Sequence, residues 1–472
     1  MKPNNPLLSL DRQIMGDVYT TTEVMDNLAI LCDDFGSRFG GTPGEKLAAD
    51  FMKAKLEEYG LSNVHLEPIA YTGWRRGSVK LEILEPMQME VPCITLPHSP
   101  PCELEGYVVD LGDGAPEDFD KRADEIKGKI VLTTSEIHPK GSKRWVHRME
   151  KNGRAILAGA AGFIFVNHYP GYGPATGGIG HADGASLIPG ISLALEDGAF
   201  MQRLIKRHGA VKIRLTSTDQ IEPMTSWNVV ADLPGTQRPE QLVLLGCHYD
   251  GHDISQGAAD PASGTVALLE AARVLAQYAA DTPVTIRFLL WGVEEIGLIG
   301  STQYVAKHQD DLDKVRFYLN MDMAGAMPNP GIVLNEWPDV ETLLLAWSDE
   351  MALPFGVEQS INAHSDHFPF LMAGAPTGGI GSVGSKDRSG RGYGHTRYDT
   401  LEKVELRSLR EAAVLAARLA YRIAVSEEWP AMRRSAEAVA ALMDNPDNRE
   451  EATFFAKLDV HYQEQGRVKV QP

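Results

Sequence analysis

Five short polar segments of this chain contain the residue types that bind divalent metal ions in proteins. Each lies where an apolar stretch ends or in the loop that follows, and they read LGCHYDG, GAADPASG, WGVEEIG, LNMDMAG and GYGHTRYDT. Their candidate ligands are His248, Asp260, Glu295, Asp322 and His395. Imidazole nitrogens and carboxylate oxygens together form a donor set that zinc accepts in catalytic sites. The segments therefore indicate a metal centre.

Most of these segments also fit ordinary structural roles when each is taken alone. A histidine at a strand end, such as His248, often makes only structural hydrogen bonds. Asp260 followed by Pro261 is typical of a helix start, where the carboxylate caps free amides. The adjacent Glu294 and Glu295 fit a solvated turn. They lie between apolar residues, however, and two desolvated carboxylates repel each other unless a cation is present or one pKa is raised.

Asp322 is the candidate that fits a structural role least well. It lies among apolar residues of a predicted central strand, where an unpaired buried carboxylate is costly, so a metal ion or an arginine must partner it. His395 lies in a loop rich in glycine and aromatic residues and also fits a polar turn. In an open α/β sheet, the carboxyl ends of the strands line one crevice. We therefore expect all five candidates to meet in one site.

Other polar residues near these segments have candidate supporting roles. Asp250, two residues after His248, can hold the second ring nitrogen of that histidine, as carboxylates beside zinc ligands do. The segment INAHSDHFPF contributes Asp366 and His367, and Tyr393 lies in the last of the five segments. We take Tyr393 and His367 as candidates for stabilising an oxyanion and Asp366 as a candidate for binding a substrate ammonium group.

The elements that position these residues alternate between strand and helix after residue 221. The strands read NVVADL, QLVLLGC, VTIRFLL and KVRFYLN, and TVALLEAARVLAQYA is an intervening helix. Continuously apolar strands are typical of a sheet covered by helices on both faces. Near the start, TTEVMDNLAILCDDFG and TPGEKLAADFMKAKLEEYG predict two more helices. We predict an α/β fold, a three-layer αβα domain with a mixed, mostly parallel sheet.

The 472 residues exceed what one hydrophobic core organises, so more than one domain is expected. Residues 86–221 contain short strands broken by Gly and Pro and predict a smaller inserted domain, mostly β or α+β. The predicted catalytic domain comprises 1–85 and 222–430, and 431–472 form a C-terminal helical extension and tail. Asp399, with Glu402 three residues later, predicts a capping box for the last long helix. We expect the polar tail beyond Asn445 to be peripheral.

Charge and hydropathy exclude several classes of partner. The formal net charge is -19, which argues against nucleic acid and anionic membrane surfaces because both require clustered Lys and Arg. The apolar runs are too short to span a bilayer. The N-terminal residues contain no apolar stretch typical of a signal peptide, so a cytoplasmic protein is expected.

In order along the chain the motifs are H-Y-D, A-D-P-A-S-G, E-E-x-G-L-x-G-S, N-x-D, S-D-H-x-P-F and G-H-T-x-x-D-T. In this order the chain resembles the co-catalytic zinc peptidases of clan MH, among them secreted bacterial aminopeptidases and plasma glutamate carboxypeptidase. The resemblance covers about residues 10–85 and 222–425. The segment 86–221, with KGKIVL, AILAGAAG and IPGISLALEDG, resembles the protease-associated domain inserted into some exopeptidases.

The resemblance implies two zinc ions and a peptide or amino-acyl substrate. His248, Asp260 and Asp322 would hold one ion, and Asp260, Glu295 and His395 the other, so Asp260 would bridge them. Glu294 would act as the general base on a water shared by the two ions, and hydroxide would attack the peptide carbonyl.

One position departs from the family. Asn or Asp commonly follows the bridging carboxylate in a cis peptide bond, whereas this chain has Pro261. Proline lowers the cost of the cis form to about 1 kcal/mol or less. We therefore predict a cis bond between Asp260 and Pro261.

Several functions stay open at this point. Aminopeptidase action is the first hypothesis, and carboxypeptidase or dipeptidase action is the alternative, because Arg388, Arg391 and Arg397 can receive a carboxylate. A single-zinc glutaminyl cyclase would not need the second ligand set. A receptor-like module without catalysis would not need competent ligands at every position.

Overall fold

Two eight-stranded sheets organise the chain in the computed structural model, which describes residues 5–181, 184–327, 329–384 and 392–467. The strands are β1 Ser62–Arg75, β2 Val79–Glu85, β3 Met89–Val91, β4 Ile94–Thr95, β5 Cys102–Asp110, β6 Ile130–Thr134, β7 Gly162–Val166, β8 Gly190–Leu193, β9 Lys212–Ser217, β10 Gln220–Leu233, β11 Arg238–His248, β12 Val284–Trp291, β13 Val315–Asn320, β14 Pro330–Leu334, β15 Val357–Gln359 and β16 Thr377–Ser382. The helices are α1 Leu8–Thr20, α2 Glu23–Ala29, α3 Pro43–Glu58, α4 Pro116–Lys121, α5 Ala123–Ile126, α6 Arg148–Leu157, α7 Leu195–His208, α8 Ser263–Tyr278, α9 Ile299–Lys307, α10 Pro338–Met351, α11 His367–Met372, α12 Leu406–Val425, α13 Ala436–Met443 and α14 Pro446–Glu464. Within the described ranges, none of these helices is long and apolar enough to cross a membrane.

The first sheet has the order β1-β10-β12-β11-β13-β16-β14-β15. Its central strand β11 pairs in parallel with β12 and β13, whereas β1, β10 and the β14–β16 pair add antiparallel neighbours. Alternate residues of β11 enter different cores: Val243 and Leu245 pack with α8 and α12, and Leu242 and Leu244 pack with α9 and α11. Helices therefore cover both faces, and the predicted three-layer αβα architecture is confirmed.

The second sheet, of order β3-β2-β9-β5-β6-β7-β8-β4, belongs to the insertion and has cores of its own on both faces. Helix α6 contributes to one of these cores and α7 to the other. The strand Val79–Glu85 lies in this sheet, paired with β9, and not in the catalytic sheet as the predicted boundary after residue 85 implied. The change from one sheet to the other therefore falls between β1 and β2.

The C-terminal tail is packed rather than peripheral, which corrects the expectation for residues beyond Asn445. Phe454, Leu458 and Tyr462 of α14 lie on one helix face at intervals of four residues and are buried against the inserted domain. Such spacing places apolar side chains on one stripe. His181 of the insertion also contacts Asp459, at 2.8 Å from ring Nε2 to carboxylate Oδ1. The extension therefore stabilises the inserted domain.

An ion network fixes the N-terminal helix α1 to α12. Asp11 is buried and accepts hydrogen bonds from Arg418 at 2.8 Å and from Arg422 at 2.9 Å. Burial alone would raise the pKa of Asp11, but the two guanidinium groups lower it well below its usual value. Because the folded-state pKa is depressed, this contribution to stability is present above about pH 4 and is lost as the pH falls further.

Asp11→Asn is expected to lower the free energy of unfolding by about 3–5 kcal/mol at neutral pH, because it leaves buried guanidinium charge uncompensated. Urea denaturation followed by circular dichroism measures this loss. The matched control is Asp313→Asn, since the Asp313 side chain is 78% exposed in its pair with Arg433 and should contribute less than about 1 kcal/mol. Equal effects of the two substitutions would contradict the prediction.

Candidate metal centre

The carboxyl ends of the three central parallel strands bring the predicted ligands together. His248 is the last residue of β11, Glu294 and Glu295 follow the end of β12, and Asp322 follows the end of β13. Asp322 thus lies in the turn just after the strand, whereas the sequence pattern placed it within the strand. The remaining candidates, Asp260 and His395, come from loops that reach the same edge.

Asp260 lies between the two histidines, with one carboxylate oxygen near each. Its Oδ1 is 3.3 Å from Nε2 of His248, and its Oδ2 is 3.4 Å from Nε2 of His395. The His248 nitrogen is also 3.3 Å from Oδ1 of Asp322, and the His395 nitrogen is 3.7 Å from Oε2 of Glu295. Ligand atoms about 2.0–2.1 Å from one tetrahedral zinc are about 3.3 Å from each other. The five side chains therefore fit the ions that the sequence implied.

Electrostatics support the same fit. Burial raises the pKa of Glu294 well above its usual value and that of Glu295 to about 8, and neighbouring carboxylates add to both increases. One oxygen of Glu295, Oε1, is buried without a hydrogen-bond partner in the described part of the chain. Clustered carboxylates of this kind are costly unless a cation is bound among them.

Asp260 does not cap the helix that follows it, because that helix begins three residues later. Asp260 has φ -120° and ψ 99°, and the following helix α8 begins at Ser263 with no side-chain cap. The predicted cis bond between Asp260 and Pro261 is confirmed. The Asp260 carboxylate is thereby left free to face the histidines.

Asp399 positions this loop, and its predicted capping role is wrong. Its carboxylate accepts the backbone N–H of Ala259 at 2.8 Å and that of Asp260 at 3.0 Å. Helix α12 begins only at Leu406, with Glu405 at its N-cap, because the intervening residues form a separate single turn. The capping-box spacing was therefore a coincidence of sequence, and Asp399 instead fixes the carboxylate predicted to bridge the metals.

Arg38 is a second positioning residue that the sequence analysis did not identify. Its guanidinium is fully buried and donates only to backbone carbonyls: those of Leu31, Gly36, Tyr249, Gln256 and Gly257. Three of these carbonyls belong to the loop between His248 and Asp260. Arg38 therefore ties that loop to the N-terminal helices.

Asp250 holds the glutamate pair rather than the histidine ring. Its carboxylate accepts the backbone N–H of Glu294 at 2.9 Å and of Glu295 at 3.3 Å. Nδ1 of His248 lies 3.1 Å from the backbone carbonyl of Asp250 but 3.7 Å from its carboxylate. The predicted support of His248 thus comes from the backbone of Asp250.

The remaining candidates occupy different positions around the centre. Asp366 is fully buried, and burial raises its pKa to about 7 while the charge of His248 lowers it. Burial lowers the pKa of His367 to about 4, and its Nδ1 is 3.5 Å from Nδ2 of Asn320. The ring of Tyr393 packs against the main catalytic core, with the Lys403 ammonium 5.3 Å from its centroid. Their roles toward a substrate stay predictions.

The inserted domain reaches the edge of the centre. The backbone N–H of Thr176 donates to the carbonyl of His395 at 2.7 Å. The ring of His364 lies 4.5 Å from the rings of both Trp145 and His147, which precede α6. The insertion therefore forms one wall over the metal-binding edge of the first sheet.

Arg148, at the start of α6, brings an unpaired positive charge to this wall. Its Nε donates to the carbonyl of Gly178 at 2.9 Å, and it forms no ion pair with any acidic residue in the described ranges. Burial lowers its pKa to about 10, and the negative charges of Glu295 and Glu294 oppose that shift. Of the arginines proposed to receive a carboxylate, Arg388 and Arg391 lie outside the described residues, and Arg397 is exposed with its guanidinium 5.3 Å from the Tyr398 ring.

The chain is similar to known peptidases in sequence and in fold. Residues 228–420 match the model of peptidase family M28, and residues 99–200 match that of the PA domain. Carboxypeptidase Q of Bos taurus is 27% identical over 409 residues, covering 85% of each chain. A peptidase M28 precursor from Shewanella amazonensis has a TM-score of 0.78 at 24% identity over 90% of this chain and 99% of that one. A zinc aminopeptidase from Bacillus subtilis has a TM-score of 0.66 at 24% identity over 86% of this chain and 95% of that one.

Proposed function

We propose that the chain is a two-zinc exopeptidase. It is a metallopeptidase, with residues 228–420 matching peptidase family M28 and residues 99–200 matching the PA domain. It removes the N-terminal residue of short peptides. The observation on which this rests is Asp260, whose two carboxylate oxygens face His248 and His395 separately at 3.3 and 3.4 Å. A single-zinc enzyme such as a glutaminyl cyclase would not need this second half of the arrangement.

The ligand assignment follows from the neighbours of Asp260. His248, Asp260 and Asp322 would hold one zinc ion, and Asp260, Glu295 and His395 the other. When bound, two zinc ions polarise a peptide carbonyl and lower the pKa of water. Neutral imidazoles and carboxylates suit this role because they are competent ligands near neutral pH.

Glu294 is the residue proposed to move the proton. Its backbone N–H is fixed by the Asp250 carboxylate, so its side chain stays at the edge where His248 and Asp322 also lie. The Glu294 carboxylate takes a proton from the attacking water as the new C–O bond forms. It returns that proton to the amine nitrogen as the C–N bond breaks, so atoms and charge balance.

The two ends of a short substrate would meet opposite charges. The carboxyl groups of Glu294 and Asp366 are the candidates for receiving a free amino group in aminopeptidase action. Arg148 lacks an acidic partner in the described residues and is a candidate for binding a free carboxylate, bidentate if both ends of its guanidinium engage. Arg148 also favours the second candidate function, carboxypeptidase or dipeptidase action, in which that carboxylate is essential.

Substrates that differ only at their termini separate these functions. We expect the enzyme to cleave a free dipeptide, to leave its N-acetyl form uncut, and to cleave its C-terminal amide with kcat/KM lower by roughly 10- to 100-fold, the loss of one charge-assisted contact. All cleavage should stop with a chelator and return with zinc. Cleavage of the acetylated peptide but not of the amide would instead establish the carboxypeptidase.

Arg148→Gln is the variant for the same panel. It should lower kcat/KM for the free dipeptide to the value of the amide and leave the amide itself unchanged. Arg397→Gln is the matched control, because that guanidinium is exposed beside Tyr398. An equal loss on both substrates in Arg148→Gln would assign that residue to packing rather than to the carboxylate.

A further inference from the structure

His252 is a buried histidine beside the metal centre that the ligand set above does not include. It follows His248 by four residues in the loop after β11 and is only 2% exposed. Its Nε2 lies 2.9 Å from Oε2 of Glu295, and its ring stands edge-on to that of His395 with centroids 4.4 Å apart. His252 thus contacts two of the three side chains assigned to the second zinc ion.

The ring nitrogens of His252 are not used by the rest of the described structure. Neither Nδ1 nor Nε2 makes a hydrogen bond, since the approach to Glu295, although short, lacks the required geometry. A buried polar group normally finds a partner, because leaving it unpaired costs about 1–3 kcal/mol. A ring nitrogen that is close to a carboxylate oxygen but not aligned for a hydrogen bond fits two ligands of one metal ion, because their lone pairs converge on the ion and not on each other.

The donor atoms around His252 form a compact set. One atom each from His252, Glu295 and His395 lie within 4.8 Å of one another, as do one atom each from His248, Asp260 and Glu295. Two imidazoles and a carboxylate are a ligand combination found in catalytic zinc sites. The same residues do not surround the other ion, whose set contains one imidazole.

We propose that His252 is a fourth protein ligand of the zinc ion held by Asp260, Glu295 and His395. This inference rests on the two-zinc function proposed above and adds an asymmetry to it. The ion with two imidazole ligands is bound more tightly than the ion held by His248, Asp260 and Asp322, so a chelator removes the latter first. The two neighbouring sites therefore differ in zinc affinity because their ligand types differ.

Metal titration of the apo-protein tests the proposal without relying on activity. Zinc affinity is measured by competition with a chromophoric chelator, and the coordination of each site by the visible absorption of bound Co²⁺. In His252→Gln and His252→Ala we expect one of the two sites to lose more than about 100-fold in affinity, exceeding the 10- to 100-fold typical of an outer-shell partner. The Co²⁺ band of that site should change while the other band stays.

His252→Gln is the decisive variant because its amide N–H can donate a hydrogen bond near Glu295 but cannot replace an imidazole as a zinc ligand. A loss of less than about 100-fold in this variant would overturn the proposal in favour of an outer-shell role. His98→Gln is the matched control, a buried histidine of the inserted domain whose Nε2 contacts the carbonyl of Thr72. Circular dichroism of each apo-variant checks that it folds.

X-ray absorption of the wild-type zinc protein gives a reading that needs no variant. Three imidazoles shared by two zinc ions support the proposal, and two imidazoles overturn it. A wild-type protein that binds one zinc ion or none would instead refute the two-zinc function itself, so the two failures are distinguishable.

Discussion

Glu294→Gln is expected to lower kcat by about 10²- to 10⁴-fold while two zinc ions stay bound. The amide keeps the size of the side chain and the backbone hydrogen bond to Asp250, but it cannot accept a proton from water at neutral pH. KM should change little, because the proposed role of Glu294 lies in proton transfer. Steady-state kinetics on the free dipeptide and zinc analysis of the same sample measure both quantities.

The control for this substitution is a buried glutamate outside the centre. Glu67 is 6% exposed on β1 and pairs with His308 at 2.9 Å, so Glu67→Gln makes the same chemical change far from the ligands. It should leave kcat unchanged. An unimpaired kcat in Glu294→Gln would remove Glu294 as the base, and loss of zinc in that variant would make it a ligand instead.

The layered fold could be predicted because its signals are local. Continuously apolar segments between polar turns identified β11, β12 and β13, and the glycine after α3 marked the end of that helix. Helix α1 was not predicted, since its apolar residues are interrupted by polar ones and it is stabilised by the pair between Asp11 and Arg418, about 400 residues away in sequence. Packing across such separations leaves no local pattern.

The change of sheet between β1 and β2 has the same explanation. Both strands read alike in sequence, with apolar residues alternating with polar ones. Their partners decide their sheets: β1 pairs with β10, and β2 pairs with β9, more than 100 residues later. The stripe of Phe454, Leu458 and Tyr462 was visible in the sequence, but the polar residues around it suggested a solvated tail.

The candidate ligands could be predicted because their order along the chain is fixed by the strand ends. The residues that surround and position these ligands could not be predicted. Asp399 resembled a helix cap, Arg38 resembled a polar residue of a glycine-rich loop, and His252 was one more polar residue of the segment after His248. Arg38 and Asp399 act on loops that are 100 or more residues away in sequence. His252 and Glu295 are 43 residues apart.

Asp260→Asn is expected to lower the affinity for both zinc ions by at least about 100-fold and to abolish measurable hydrolysis. It removes the one carboxylate that faces both His248 and His395, so each ion loses a charged ligand in one substitution. Asp322→Asn, in contrast, should lower the affinity only for the ion held with His248. Zinc stoichiometry after gel filtration, measured against chelator concentration, separates the two patterns.

Asp253→Asn controls for the effect of changing a carboxylate in this same loop. Asp253 pairs with Arg76 through two hydrogen bonds of 2.6 and 2.8 Å and is assigned to neither ion, so this variant should keep two zinc ions and its activity. Loss of only one ion in Asp260→Asn would contradict bridging, because replacing a ligand shared by both ions should weaken both sites. A loss of both ions in Asp260→Asn, with one lost in Asp322→Asn, requires a shared ligand, and Asp260 is the carboxylate with an oxygen near each histidine.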